Sequence, residues 1–172
     1  MPIAINGTGT ITGISAGGLP DGCIVTADLA DGAATPAKTT GGPAFAAYAN
    51  TATSVPNGTS IKINLGTEEF DTANCFTGSR FTPNIAGYYQ FNFSVRMSNI
   101  LTARADLAKN GTVIKSGAHI SGGTFTSFGG HLLFLNGSTD YVELFAYQAS
   151  GSTQNADASL DTSLSGFLAR PA

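Results

Sequence analysis

The sequence predicts an all-β antiparallel sandwich, preceded by a segment that cannot fold by itself, and three observations carry that prediction. Strict period-two runs, Thr59-Ser60-Ile61-Lys62-Ile63-Asn64-Leu65 and Tyr89-Gln90-Phe91-Asn92-Phe93-Ser94-Val95, alternate apolar and polar side chains as half-buried strands do. Asn57-Gly58, Asn110-Gly111 and Asn136-Gly137 fall between such runs, and Asn-Gly readily takes the positive φ values of tight hairpin turns. Residues 1–42 contain no aromatic side chain, so that segment lacks the material for a core of its own.

The chain therefore divides into an attachment and trimerisation stalk, residues 1–42, and a head domain, residues 43–172, of a size one core can fill. In the stalk, Ile3, Ile5, Ile11 and Ile14 stand among Gly and Thr, Gly17-Gly18-Leu19-Pro20-Asp21-Gly22 marks a turn, and residues 25–33 offer a short helical or looped unit. Small residues let three chains approach an axis closely, and burying Ile and Leu between chains supplies what one chain lacks. A disordered leader is the alternative. In the head, further strands are expected in residues 104–109, 112–116, 125–135, 141–148 and 160–168, a succession of short strands without any long helical pattern.

Composition excludes several function classes. A net charge of -3 with eight Lys plus Arg leaves nothing to neutralise a run of phosphates, so nucleic acid is not an expected partner. No run of 18 apolar residues is available for a membrane-spanning helix, and no membrane insertion is expected. Only 11% of residues are charged, so the surface rests on Ser, Thr, Asn and Gly, a composition common in secreted and virion proteins. Residues 1–19 carry no Lys or Arg and five Gly, unlike a secretory signal, so synthesis and assembly in a cytoplasm are expected. A Cys23–Cys75 disulfide is not expected in that setting.

The run Phe81-Thr82-Pro83-Asn84-Ile85-Ala86-Gly87-Tyr88-Tyr89-Gln90-Phe91-Asn92-Phe93 resembles the signature of the complement component 1q globular head, of the tumour necrosis factor-like jelly-roll superfamily. Phe81, Gly87, Tyr89, Phe91 and Phe93 match the pattern F-x5-G-x-Y-x-F-x-F/Y at every position. Pro43-Ala44-Phe45-Ala46-Ala47 resembles the family's opening strand, Leu107-Ala108-Lys109-Asn110-Gly111 its central hairpin, and Leu164-Ser165-Gly166-Phe167-Leu168 its closing strand. Asp71 and Phe76 keep the family's mutual spacing, but the gap from Phe76 to Phe81 is two residues short, which reads as a shortened turn, and Leu65 stands where Phe is usual. The resemblance covers residues 43–169 and implies an eight-stranded jelly roll that assembles as a homotrimer and binds ligands without catalysis. Collagen-like repeats are absent, which argues against an animal immune role. Ile5-Asn6-Gly7-Thr8-Gly9-Thr10-Ile11-Thr12-Gly13, the Gly17 to Gly22 turn and residues 25–33 resemble segments of bacteriophage tail and fibre proteins, which implies a virion protein.

No chemical motif rises to an active site. Gly13-Ile14-Ser15-Ala16-Gly17 matches the nucleophile elbow G-x-S-x-G but has neither the preceding strand nor the following helix that presents the hydroxyl. His119 and His131 have no third ligand at metal spacing and read as surface residues. Glu68, Glu69 and Asp71 form an acidic cluster that could hold calcium, though a solvated turn is the preferred reading. Asn6, Asn57, Asn92, Asn110 and Asn136 each begin an N-x-S/T triplet and are read as turn chemistry. No enzyme activity, cofactor or metal is expected.

The expected function is therefore adhesion: a trimeric knob on a phage fibre or tail appendage, joined to other virion proteins through the stalk and binding a host-cell surface glycan or protein. A capsid or collar decoration and a bacterial complement-like adhesin are the alternatives. Two surfaces are assigned. Tyr141, Phe145 and Tyr147 share one strand face opposite Val142, Leu144 and Ala146, and with Phe167 they are expected to pack at the three-fold axis, because aromatic patches need covering. Counting hairpins back from the last strand puts residues 98–103, 117–124 and 149–159 at the end away from the stalk, and residues 110–111 and 136–139 at its base. The distal loops carry Asn99, His119, Ser121, Thr124, Thr153, Gln154 and Asn155, small polar groups suited to a receptor.

Overall fold

Alternation along each strand decides which side chains enter the core, and one core collects them all. The computed structural model describes residues 41–172, a single compact unit, Gly41–Ala172. Residues 1–40 of the expected stalk, with its Gly13 to Gly17 stretch and Cys23, lie outside the described residues. The strands are β1 (Ala44–Ala49), β2 (Thr53–Val55), β3 (Ser60–Lys62), β4 (Thr67–Asp71), β5 (Phe76–Thr77), β6 (Arg80–Phe81), β7 (Gly87–Lys109), β8 (Thr112–Ser116), β9 (Ile120–Leu135), β10 (Val142–Gln148), β11 (Gln154–Ala156) and β12 (Ser159–Pro171). All pairings are antiparallel. One layer runs β4-β1-β12-β7-β9, and the other sets β3 and β6 beside β10, then the second half of β7, then β8.

β7 belongs to both layers. Tyr89, Phe91, Phe93, Val95 and Met97 point into the core from the first, and Ala103, Ala105 and Leu107 from the second. Between them the ladder slips at Met97/Ile100, and Asn99 takes φ 56, a value Asn tolerates better than most side chains. This bend corrects the sequence reading at two places. Residues 98–103 and most of 117–124 are strand and not loop, because Ile100, Thr102 and Ala103 stay paired with Gly123, Ser121 and Ile120 while the chain crosses from layer to layer. Gly122 and Gly123, with φ of 75 and 103, supply the partner strand's share of the bend.

The matched signature residues fill the centre. Phe45 stacks on Phe81 at 4.4 Å and on Phe76 at 5.0 Å, and Phe81 meets Phe91 edge-on at 5.8 Å. Phe81 pairs with Val142 in the second layer, whereas Phe45 and Phe91 come from the first, so this cluster joins the two sheets. Tyr89 is fully buried and donates its hydroxyl to the Ile85 carbonyl at 2.7 Å; burial pushes its pKa up to about 12. The short gap between Phe76 and Phe81 is a two-residue hairpin turn, Gly78-Ser79, with φ of 56 and 58. Ser79 is buried and accepts the Leu65 amide at 2.8 Å, which ties this turn to the buried Leu65.

The chain enters this domain at Pro43 and leaves at Ala172 on the same side. The Leu168 amide donates to the Pro43 carbonyl, and the Ala172 amide to that of Ala86. Asn110-Gly111 and the 136–140 turn lie at this base too, joined by Asn110 to Asp140 and Tyr141.

Candidate interaction surfaces

The first surface is the outer side of the β1-β12-β7-β9 layer. Register sets its side chains in rows across β9, β7 and β12: Phe134, Tyr88, Arg170; Leu132, Gln90, Phe167; Gly130, Asn92, Ser165; Phe128, Ser94, Ser163. Tyr88, Phe128, Leu132, Phe134 and Phe167 are 41–66% exposed. Tyr88 and Phe134 meet edge to face at 5.6 Å. Between the aromatic rows the small residues of the Gly130 and Ser94 rows leave an open groove of about 470 Å³, with the Ser94 and Ser163 hydroxyls 3.0 Å apart on its floor. An apolar face of this size on a sheet normally marks an interface.

The four residues assigned to the three-fold axis do not share a surface. Phe167 lies on the face just described, whereas Tyr141, Phe145 and Tyr147 lie on the outer side of the opposite layer, half-buried. The two tyrosine rings are already covered: the Arg80 guanidinium lies 3.8 Å over the Tyr141 ring and that of Arg104 lies 4.3 Å over Tyr147. The period-two reading of β10 is correct, with Val142, Leu144 and Ala146 fully buried. What it missed is that Arg80 of β6 and Arg104 of β7 lie over the two tyrosines on the other side.

The second surface is the end of the sandwich opposite the termini. All seven residues assigned to it are found there. Asn99, Ser121 and Thr124 lie on the paired bend of β7 and β9, His119 just precedes β9, and Thr153, Gln154 and Asn155 lie at β11. Six of them are exposed and Gln154 is half-buried. The segment before β11 is fastened down, since Gln148 reaches the Ser152 and Val55 carbonyls and Ser150 accepts the Leu101 amide. This end also carries exposed apolar groups that the sequence reading omitted, Leu101, Phe125 and Leu160.

The acidic cluster has a different task. The Asp71 carboxylate accepts the amides of Ala73 and Phe76, at 3.2 and 2.7 Å, and so shapes the turn before β5. Among the described residues no three His, Cys, Asp or Glu side chains converge as a metal site. Asn136 likewise caps its own turn, accepting the amides of Ser138, Thr139 and Asp140. Cys75 is a free, buried thiol whose pKa burial raises.

No family model matches the chain, and no curated protein matches it. Solved structures do. The globular domain of the zebrafish complement 1qA protein superposes with TM-score 0.54 at 18% identity, over 76% of this chain and 99% of that one. The fold is a jelly roll of the complement 1q and tumour necrosis factor type. Murine APRIL at pH 8.5 matches with TM-score 0.56 and 11% identity over 73% of this chain and 96% of that one, and Eiger TNF from S. frugiperda with 0.62 and 10% over 77% and 95%. At these identities the likeness is one of fold. This jelly roll places its apolar face and its polar end on separate surfaces.

Proposed function

We propose that the chain is a non-enzymatic, homotrimeric binding protein: the knob of a virion fibre or tail appendage, carried by residues 1–42 and adhering to a host-cell surface. One observation carries the reading. The domain's termini leave at one end, the polar receptor residues stand at the other, and an apolar face runs between them. That arrangement supports the reading of a head mounted on a stalk and packed around an axis.

A three-fold ring needs two different patches that fit each other, since each protomer contacts its neighbours head to tail. The Phe128, Leu132, Phe134 and Phe167 face supplies one. The other is the edge strand β8, which among the described residues pairs only with β7 and exposes Val113 and Ile114. Three copies of the polar end on one rigid head then let weak contacts add through effective concentration. The resemblance of residues 5–33 to tail and fibre segments supports the virion setting.

The test is binding of fluorescently labelled protein to bacterial cells. Joint substitution of Asn99, His119, Gln154 and Asn155 by Ala is expected to abolish binding while mass and melting temperature stay unchanged. Binding that survives this variant but is lost when the basal Ser138 and Thr139 are replaced would overturn the assignment of the recognising end.

A further inference from the structure

The outer side of β10 carries charges arranged by depth. Its outward positions are Glu143, Phe145 and Tyr147, with Tyr141 just before the strand, and Asp106 of β7 lies opposite Phe145. Both carboxylates are buried, Glu143 at 3% and Asp106 at 0% exposure. A buried carboxylate stays ionised only where cations come to it. Lys62 Nζ and Arg80 Nε reach Glu143 Oε1 at 2.8 and 3.1 Å, and Arg104 Nε spans both Asp106 oxygens at 2.9 and 3.2 Å. The three cationic side chains remain 24–42% exposed. Solvent therefore meets a strip of positive charge on a chain whose net charge is -3.

The arginines are also only partly used. Each donates through Nε, and among the described residues neither Nη atom of Arg80 or Arg104 has a hydrogen-bond partner. Each guanidinium plane is fixed by the tyrosine ring beneath it. A rigid guanidinium with both terminal nitrogens free is an open fork for a carboxylate. Tyr141 and Tyr147, which mark the two forks, are six residues apart on the strand, roughly 20 Å at 3.4 Å per residue, with the half-buried ring of Phe145 between them.

We propose that this strip binds an acidic polysaccharide, a polymer of sugars bearing carboxylates, with one carboxylate on each fork and a sugar ring against Phe145. The spacing of the forks calls for an extended polymer in place of a small anion. A peptide fits less well, because β10 is paired along both edges and offers no ladder for an added strand. The strip lies on the layer opposite the apolar face, so three copies stay open on the flanks of a trimer. It names a partner class for the adhesion reading at a surface separate from the distal end.

The experiment measures binding of the full chain to immobilised polygalacturonate, with dextran, polyphosphate and polyglutamate as comparisons. Binding to polygalacturonate that weakens steeply with added salt, and none to dextran, is expected. Arg80→Gln, in which Lys62 still pairs Glu143, is expected to weaken binding about ten-fold, the worth of one charge-assisted pair. The joint variant R104Q/D106N removes the second fork without stranding a buried charge, and about the same loss is expected. The Asn99, His119, Gln154 and Asn155 alanine variant is expected to bind polygalacturonate like the wild type, which separates this site from the distal one. Absence of polygalacturonate binding at low salt, unchanged binding by a folded Arg80→Gln protein, or equal binding of polyphosphate or polyglutamate would each overturn the proposal.

Discussion

Leu132→Asp tests where the trimer closes. Leu132 sits in the middle of the apolar face, 50% exposed, in a row with Gln90 and Phe167. Fully burying a leucine side chain is worth about 1.5–3 kcal/mol, so covering the exposed half contributes about 1 kcal/mol per protomer. Aspartate removes that and places an unpaired carboxylate against apolar groups, a penalty of about 2–3 kcal/mol more even after relaxation. With three equivalent sites the trimer loses roughly 10 kcal/mol, or about seven orders of magnitude in its association constant. In the free protomer the same aspartate is solvated and costs the fold little. Light scattering on the purified protein reads the outcome: the wild type is expected at three times the 17.4 kDa chain mass, and Leu132→Asp at one, with circular dichroism unchanged. Phe145→Asp is the control, since Phe145 lies on the opposite layer; it is expected to lower melting temperature and keep the trimer. A wild-type monomer at micromolar concentration would refute trimerisation. Dissociation by Phe145→Asp with Leu132→Asp intact would move the axis to the β10 face.

Two predictions concern the domain itself. Gly58 and Gly137 have nearly equal φ, 71 and 70, but a Cβ on Gly58 meets open space whereas one on Gly137 collides with the backbone of Ile85 and Ala86. Gly58→Ala is expected to cost about 1–2 kcal/mol, the strain of a left-handed residue alone, and Gly137→Ala clearly more; equal melting temperatures would contradict this. Asp140 at the base has its pKa held below the ordinary carboxylate value by hydrogen bonds from Lys109 and Asn110. A depressed carboxylate adds stability at neutral pH that is lost as pH falls through its folded-state pKa, so the acid side of the melting profile is expected to flatten in Asp140→Asn. A profile identical to that of the wild type would show that the pair contributes nothing.

Much of the fold was legible because a strand's parity is local. Phe91 and Phe93 alternate with Asn92 and Ser94 in the sequence and in the structure alike, and Asn110-Gly111 turns with φ of 53 and 77 as that dipeptide should. Counting hairpins needs only the order of strands, and the seven residues it groups together lie on the bend of β7 and β9, just before β9 and at β11. The loops at 98–103 and 117–124 were not legible as strand. Continuity of β7 there depends on a bulge, and a bulge shifts parity without leaving a mark that polar residues in a loop would not also leave.

The four aromatic residues grouped at one face in the sequence lie on two layers for a different reason, and that reason names the missing signal. β10 shows aromatic residues on one side and a buried aliphatic row on the other, so its aromatic side looked uncovered. Whether a ring is covered depends on which distant side chains lie across it, and Arg80 and Arg104 come from other strands. β9 carried the better evidence: Ser127, Leu133 and Leu135 lie on its buried side while Phe128, Leu132 and Phe134 lie on the other. A strand apolar on both sides must be covered on both, by its own core and by something else. Polar groups on one side of β10 could have been predicted to hold each other, since Glu143 cannot be buried without a cation. On β9 the rows of Leu132 and Phe128 hold Gln90, Phe167, Ser94 and Ser163 across β7 and β12, all uncharged, so among the described residues no charged side chain of those rows lies over Leu132 or Phe128 as Arg80 and Arg104 lie over the tyrosines.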